Sequence, residues 1–234
     1  MSTQTSAIKQ PQTQTQSLTN VRTITTLAMI TAISFVISYL SKAIPSVMGF
    51  LDFDFKDVVI CIGGFVFGPV AAAVVSIVSS VINMFFASST GPIGCLMNIL
   101  ATCAFCCTAS FFYKKFHTMK GAIVGLFVGI VMLTAVMLLW NYLITPYYME
   151  GVSREYVASL LVPVFLPFNI AKGGLNMAAT LLLYKPVVTA LRRAGLVEIA
   201  AGAPERKSYT GVFLFALALL ATFIVFALVL LGIL

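Results

Sequence analysis

Residues 51–69 read LDFDFKDVVICIGGFVFGP and place a charged run directly before a short apolar segment. The run contains three of the seven acidic residues and one lysine: Asp52, Asp54, Asp57 and Lys56. The apolar part that follows is shorter than the roughly 20 residues that cross a bilayer, and it ends at Gly68-Pro69, a strong turn signal. We therefore predict a short or partly re-entrant helix that turns directly into the next one.

The rest of the chain has the composition of a membrane protein. Its 234 residues are 60% hydrophobic and 9% charged, with a mean hydropathy of +1.05. A soluble domain carries roughly 25% charged residues, so most of this surface must face lipid. Long runs rich in Leu, Ile, Ala, Val and Phe fit helices better than barrel strands. The predicted fold class is an all-α polytopic membrane protein.

Apolar segments divide the chain into predicted units. They lie at about 24–43, 56–67, 70–88, 92–113, 121–145, 161–190 and 211–234. The Gln-, Thr- and Ser-rich residues 1–20 are predicted to be a disordered cytoplasmic tail. A six-helix membrane domain (21–194), a cytoplasmic linker (195–210) and an appended C-terminal transmembrane helix (211–234) follow. Because that last helix looks like an addition, deleting residues 205–234 is predicted to leave ligand affinity intact.

The distribution of charge predicts the orientation of the chain in a bacterial plasma membrane. If the N-terminus is cytoplasmic and every segment crosses, four basic residues fall outside: Lys42, Lys56, Arg154 and Lys172. The other ten of the 14 fall inside, which obeys the positive-inside rule. The C-terminus is then extracytoplasmic. Basic residues at segment ends form no exposed stripe, which argues against nucleic acid as a partner.

Catalytic patterns are absent from the sequence. It contains no Ser-His-Asp set, no HExxH motif and no P-loop, so an enzyme is disfavoured. Five cysteines lie inside apolar runs with no histidine among them, and we interpret them as small hydrophobes rather than metal ligands. The acids are predicted to lie in loops, whereas ion-coupled carriers usually place one within the membrane.

Candidate ligand-binding residues begin with the stretch PFNIAKGGLN, residues 167–176, which opens the sixth segment. Asn169, Lys172 and Asn176 share one helix face at spacings of i, i+3 and i+7. Bonding to neighbouring helices would explain them about as well as contact with a ligand. Two features favour contact with a ligand over bonding to neighbouring helices: the position of these residues at the end of the segment, and the adjacent Gly173-Gly174, which has no side chains.

Other polar groups are predicted to converge on the same pocket. They are Asn141, Tyr142 and Tyr147 of the fifth segment and Asn98 of the fourth, with Asn83 of the third more simply structural. Amides present both a donor and an acceptor, and tyrosines supply stacking faces, so this set suits a flat, polar, nearly neutral ligand.

The opening run is predicted to form a lid. In an extended segment Leu51, Phe53 and Phe55 point one way, while Asp52 and Asp54 point towards water. A loop with one apolar and one wet face can close over a pocket. The alternative is that the aspartates only keep the loop in water.

Together these stretches resemble the substrate-binding S components of energy-coupling factor (ECF) vitamin transporters, specifically the riboflavin type, from about Arg22 to Arg193. The resemblance rests on Ala28 and Ala32, on LDFDFKDVVICIGGFVFGP, STGPIGCLMN and NYLITPYY, and on NIAKGGLNMAATLLLYKP. It implies a six-helix bundle with an outward pocket. The amides and lysine that contact the isoalloxazine in the family match Asn141, Asn169 and Lys172. The Ala-x-x-x-Ala pair that docks the transmembrane coupling protein matches Ala28 and Ala32.

The resemblance also implies the mode of action. The chain would capture riboflavin outside, with FMN or analogues as further ligands and no covalent cofactor, and two partner ATPases would drive uptake. Two alternatives stay open at this point. One is an S component for another vitamin or a modified base, and the other is a solitary carrier working without ATPases.

Overall fold

The structure is a computed structural model that describes residues 20–49, 51–86, 91–148, 153–196 and 210–233. Helices account for most of these ranges: α1 (Val21–Ser41), α2 (Lys56–Phe67), α3 (Pro69–Phe86), α4 (Gly91–Phe116), α5 (Met119–Tyr148), α6 (Arg154–Arg193) and α7 (Thr210–Leu230). Within the described ranges, six helices are long and apolar enough to cross a membrane, namely all but α2. The prediction of an all-α, multi-pass membrane protein is confirmed. The predicted disordered tail and linker lie almost entirely outside the described residues.

The first helix has its polar face inside and its apolar face outside. Its buried positions include Thr26, Thr31 and Ser34, whereas its exposed positions are largely apolar. The hydroxyls of Thr26 and Thr31 each donate to the carbonyl four residues earlier, at 2.8 Å, so burial leaves these donors paired. Ser34 bonds Ser79 of α3 at 3.1 Å. This inverted pattern is expected where the solvent is lipid and polar groups must find partners between helices.

The short helix α2 lies between the longer ones and packs against α1, α3, α4 and α6. Gly68 follows it with φ +97° and ψ 173°, and α3 begins at the next residue, Pro69. A positive φ suits glycine, and proline is preorganised for a first helical position. The predicted turn from a short helix directly into the third segment is confirmed.

The sixth helix begins earlier than predicted. It starts at Arg154 rather than near residue 161, and Ser153 caps it by accepting the backbone N–H of Tyr156 at 3.2 Å. Pro163 lies in a π turn, Leu161–Phe165, through which the helix continues. As a result, Asn169, Lys172 and Asn176 lie well inside α6 and not at its end, which corrects the position predicted for them.

Candidate functional site

The loop between α1 and α2, residues 42–55, here called the first loop, is folded onto α6. Val47 and Leu51 exchange two backbone hydrogen bonds, at 2.9 and 3.1 Å, across a tight turn in which Met48 and Gly49 have positive φ. Leu51 and Phe53 are buried and share an apolar cluster with Phe165 and Phe168 of α6. The Phe53 and Phe168 ring centroids are 5.0 Å apart. The loop therefore contacts the helix that carries the candidate ligand residues.

The aspartates of the first loop have different environments. Asp52 is exposed, as predicted, and Leu51 and Phe53 point inwards. The prediction for Asp54 was wrong, because its side chain is only 12% exposed and forms an ion pair with Lys56, Nζ to Oδ2 at 2.8 Å. Ser38 of α1 donates to the same carboxylate oxygen at 2.9 Å. The loop is thus tied to α1 by a charge-assisted hydrogen bond.

Two lysines determine the charge state of Asp54. Burial alone would raise the pKa of Asp54, but the ammonium groups of Lys56 and Lys172 outweigh that effect and hold the pKa below its usual value. Asp54 is therefore an anion at neutral pH. The same carboxylate thus lies within electrostatic reach of Lys172 in the candidate ligand stripe.

Lys56 and Asp57 extend this charged cluster into the bundle from the first turn of α2. Each is only 2% exposed. Lys56 Nζ lies 3.3 Å from the amide oxygen of Asn98, and Asp57 Oδ1 accepts a 2.7 Å hydrogen bond from Thr102 of α4. The prediction that the acids all lie in loops was therefore wrong for Asp57. Buried charges are tolerated here because each has both an opposite charge and a hydrogen bond nearby.

The predicted stripe on α6 meets this cluster at Asn176. Its amide nitrogen donates to the backbone carbonyl of Asp54 at 3.1 Å and to that of Lys172 at 3.0 Å. Its amide oxygen is buried with no hydrogen-bond partner within the described residues. An unpaired buried acceptor is costly unless a ligand or water supplies the donor. Asn176 therefore offers an acceptor next to the charges of Asp54 and Lys172.

Asn169 and Asn141 are also buried. Each donates its amide nitrogen to the carbonyl four residues earlier on its own helix, at 2.7 Å: Asn169 to Phe165 and Asn141 to Met137. The amide oxygen of Asn141 accepts from Thr145 at 3.0 Å. Both side chains thus have defined orientations inside the bundle, and their contact with a ligand stays a prediction.

The predicted tyrosines contact Arg154, at the start of α6. Tyr147 is 76% exposed, and the Arg154 guanidinium lies 5.7 Å from the Tyr142 ring and 5.9 Å from the Tyr147 ring. Arg154 also donates to the Tyr147 hydroxyl at 3.3 Å. Both rings therefore face a cation near the end of α5, and their contact with a ligand stays a prediction.

We predicted that the two glycines of α6 leave open space beside the stripe, and this prediction was wrong. A β-carbon added at Gly173 would lie 3.0 Å from Ile130 of α5, and one at Gly174 would overlap three ring atoms of Phe223 on α7. Glycine at these two positions lets α5 and α7 pack closely against α6. A Gly-Gly pair in a membrane helix fits close helix packing as well as a ligand space, so the sequence did not distinguish them.

The structure adds Lys56, Ser38 and Thr102 to the candidate site, which sequence reasoning missed. Lys56 had a detectable signal, since it is the only basic residue in the acidic run. Ser38 and Thr102 had no such signal in the sequence, because each belongs to the site only through a hydrogen bond to a carboxylate distant in the sequence. Asn98, which was predicted, reaches the site through Lys56. Asn83 bonds the Ser79 carbonyl of its own helix, as a structural residue would.

The predicted docking pair lies on the outer surface of the bundle. Ala28 and Ala32 are exposed on α1, on the face opposite the buried Ile30 and Ser34. Exposed Met29 and Ile33 flank them. The pair is therefore free of internal packing, and this small-residue face leaves room for another helix to approach closely.

Comparison with known proteins matches this architecture. The family model for the substrate-specific component of ECF transporters matches residues 22–184. The chain is 32% identical to riboflavin transporter RibU of Staphylococcus aureus over 72% of this chain and 91% of that protein. It is 30% identical to riboflavin transporter FmnP of Bacillus subtilis over 65% and 85% of the two chains.

A solved structure agrees with these relatives. The S component of a bacterial ECF transporter superposes with a TM-score of 0.60 at 32% identity, covering 73% of this chain and 97% of that one. α7 begins at Thr210, beyond the residues that the family model matches. The family match over residues 22–184 and the shared helical bundle show that the chain belongs to the substrate-specific components of ECF transporters.

Proposed function

We propose that this chain is the riboflavin-binding subunit of an ECF importer. It captures riboflavin at the first-loop side of the bundle and delivers it inward with a transmembrane coupling protein and two ATPases. One observation carries the proposal: the buried, unpaired amide oxygen of Asn176 lies beside the Asp54–Lys56 ion pair and Lys172. Relatives that are 30% and 32% identical bear the name riboflavin transporter, which supports riboflavin as the ligand.

The chemistry of the cluster fits a flavin. The edge of the oxidised isoalloxazine has one N–H donor, at N3, between two carbonyl acceptors, with N1 and N5 as further acceptors, so it needs a protein acceptor with donors beside it. The Asn176 amide oxygen is such an acceptor, and the Lys172 ammonium is such a donor. The apolar rings of Phe53, Phe165 and Phe168 supply a cover for the flat tricyclic system.

The direct test is an equilibrium titration of the purified chain with riboflavin, followed by quenching of flavin fluorescence. We expect saturable binding at one site per chain, with no displacement by an excess of thiamine or adenine. Displacement by either competitor at a concentration comparable to that of riboflavin would assign the pocket to another vitamin or base.

Uptake experiments test the requirement for ATPases. Cells that contain the chain together with a coupling module are expected to accumulate riboflavin, and cells whose ATPases carry an inactivated P-loop lysine are not. Undiminished uptake with inactive ATPases would instead make the chain a solitary carrier.

Ala28→Trp is expected to separate binding from transport. The indole would obstruct the exposed small-residue face of α1, so uptake should fall by roughly 10-fold or more while riboflavin affinity is unchanged. The matched control is Ala221→Trp, at an exposed position of α7, which should transport normally. Weakened binding in Ala28→Trp would mean that this face supports the pocket and is not a docking surface.

A further inference from the structure

The last helix, α7, lies beyond the family match but packs closely against α6. Its inward positions are spaced by four, three and four residues: Ala216, Leu220, Phe223 and Ala227. This spacing is the one expected for a helix that packs along another with a single stripe. Most of its other side chains are exposed, as expected for a helix facing lipid.

A close contact between the two helices lies behind the candidate ligand stripe, on the opposite face of the same turn of α6. The Phe223 ring occupies the space that a side chain at position 174 would need. Gly174 is two residues from both Lys172 and Asn176, so it belongs to the same turn of α6 but faces away from the stripe. The ring therefore packs directly against the back of the α6 turn that presents the ammonium and the unpaired amide oxygen.

The C-terminal end of α7 packs into the apolar cluster that contains Leu51 and Phe53 of the first loop. Ala227 is buried in the same apolar cluster as Leu51 and Phe53, and Phe226 and Leu230 pack against it. α7 thus contacts two parts of the candidate site. One is the α6 turn that carries the stripe, and the other is the apolar cluster that contains Leu51 and Phe53 of the first loop. A movement that separates these two parts would therefore break the packing of α7 against one of them.

We propose that α7 is an integral clamp of the ligand site, with Phe223 as its positioning residue, and that it slows release of bound riboflavin. The inference rests on the proposed function. It revises the expectation that deleting residues 205–234 leaves ligand affinity intact, because α7 packs against the α6 turn that carries the stripe. Phe223 acts through Gly174 and needs no contact with the ligand.

A set of variants at the Phe223–Gly174 contact tests the clamp, with the rate of riboflavin release from the full-length chain as the readout. Phe223→Ala removes the ring, and Gly174→Ala displaces it, so each should speed release by about 10-fold, since interface changes act mainly on dissociation. The double variant should release more slowly than Gly174→Ala alone, because the new methyl group occupies the space that the ring leaves. Phe213→Ala, at an exposed position of the same helix, should release at the wild-type rate.

The release rate is measured only on the bound fraction, so a loss of folded protein does not alter it. If Phe223→Ala does not accumulate in the membrane, Phe223→Leu replaces it in the same comparison. Wild-type release rates in both single variants, or additive effects in the double variant, would overturn the clamp. Failure of the unaltered chain to bind riboflavin would overturn the proposed function instead.

Discussion

Lys56→Met is expected to destabilise the protein by about 3–5 kcal/mol, the cost of leaving a buried charge without its partner. Lys56 is 2% exposed, bonds Asp54 at 2.8 Å and lies beside the buried Asp57. Removing its ammonium leaves Asp54 and Asp57 close together, with Lys172 as the remaining cation that acts on both within the described part of the chain. Thermal unfolding of the purified protein in detergent, without ligand, measures the loss.

Two controls make this result specific to the ion pair. Lys42→Met alters an exposed lysine of the first loop and should leave unfolding within about 0.5 kcal/mol of wild type. Adding Asp54→Asn to Lys56→Met removes one of the uncompensated charges and should recover part of the stability. An unchanged unfolding temperature for Lys56→Met alone would show that the buried cluster does not support the fold.

Lys172→Ala is expected to weaken riboflavin binding on the order of 100-fold, which corresponds to roughly 2.7 kcal/mol. The ammonium of Lys172 is the charged donor of the stripe, and bonds to charged groups contribute about 1.5–3 kcal/mol. Its loss also leaves Asp54 with one compensating lysine fewer. Titration by fluorescence quenching gives the dissociation constant.

Lys185→Ala is the matched control, because it removes an exposed lysine from the same helix well beyond the stripe. Its dissociation constant should equal that of the wild-type chain. Equal affinities of Lys172→Ala and Lys185→Ala would remove Lys172 from the ligand site and with it the proposed orientation of the flavin.

The helical architecture could be predicted from the sequence because lipid imposes a simple rule on it. Every backbone group must be paired within its segment, so long apolar runs predict helices, and Gly68-Pro69 predicts where the short α2 ends. The start of α6 was missed for a related reason. Arg154, Glu155 and Pro163 are typical of loops, but Ser153 caps the helix and a π turn absorbs the proline.

The candidate site was predictable only in part. Asn169, Lys172 and Asn176 were found because their spacing on one helix is a local signal. Lys56 was predicted only to fall on the outer side of the membrane. Its ion pair with Asp54 is local, but its burial against Asn98 depends on a residue distant in the chain. The role of Gly174 also depends on a distant partner, Phe223. Tertiary contacts of this kind leave no local pattern.

The visible absorption spectrum of the chain, purified in detergent without added ligand, tests the central claim most directly. The account predicts a yellow preparation with flavin bands and quenched flavin fluorescence, because a site that binds riboflavin tightly should retain it through purification. A colourless preparation that also fails to quench added riboflavin would contradict the account.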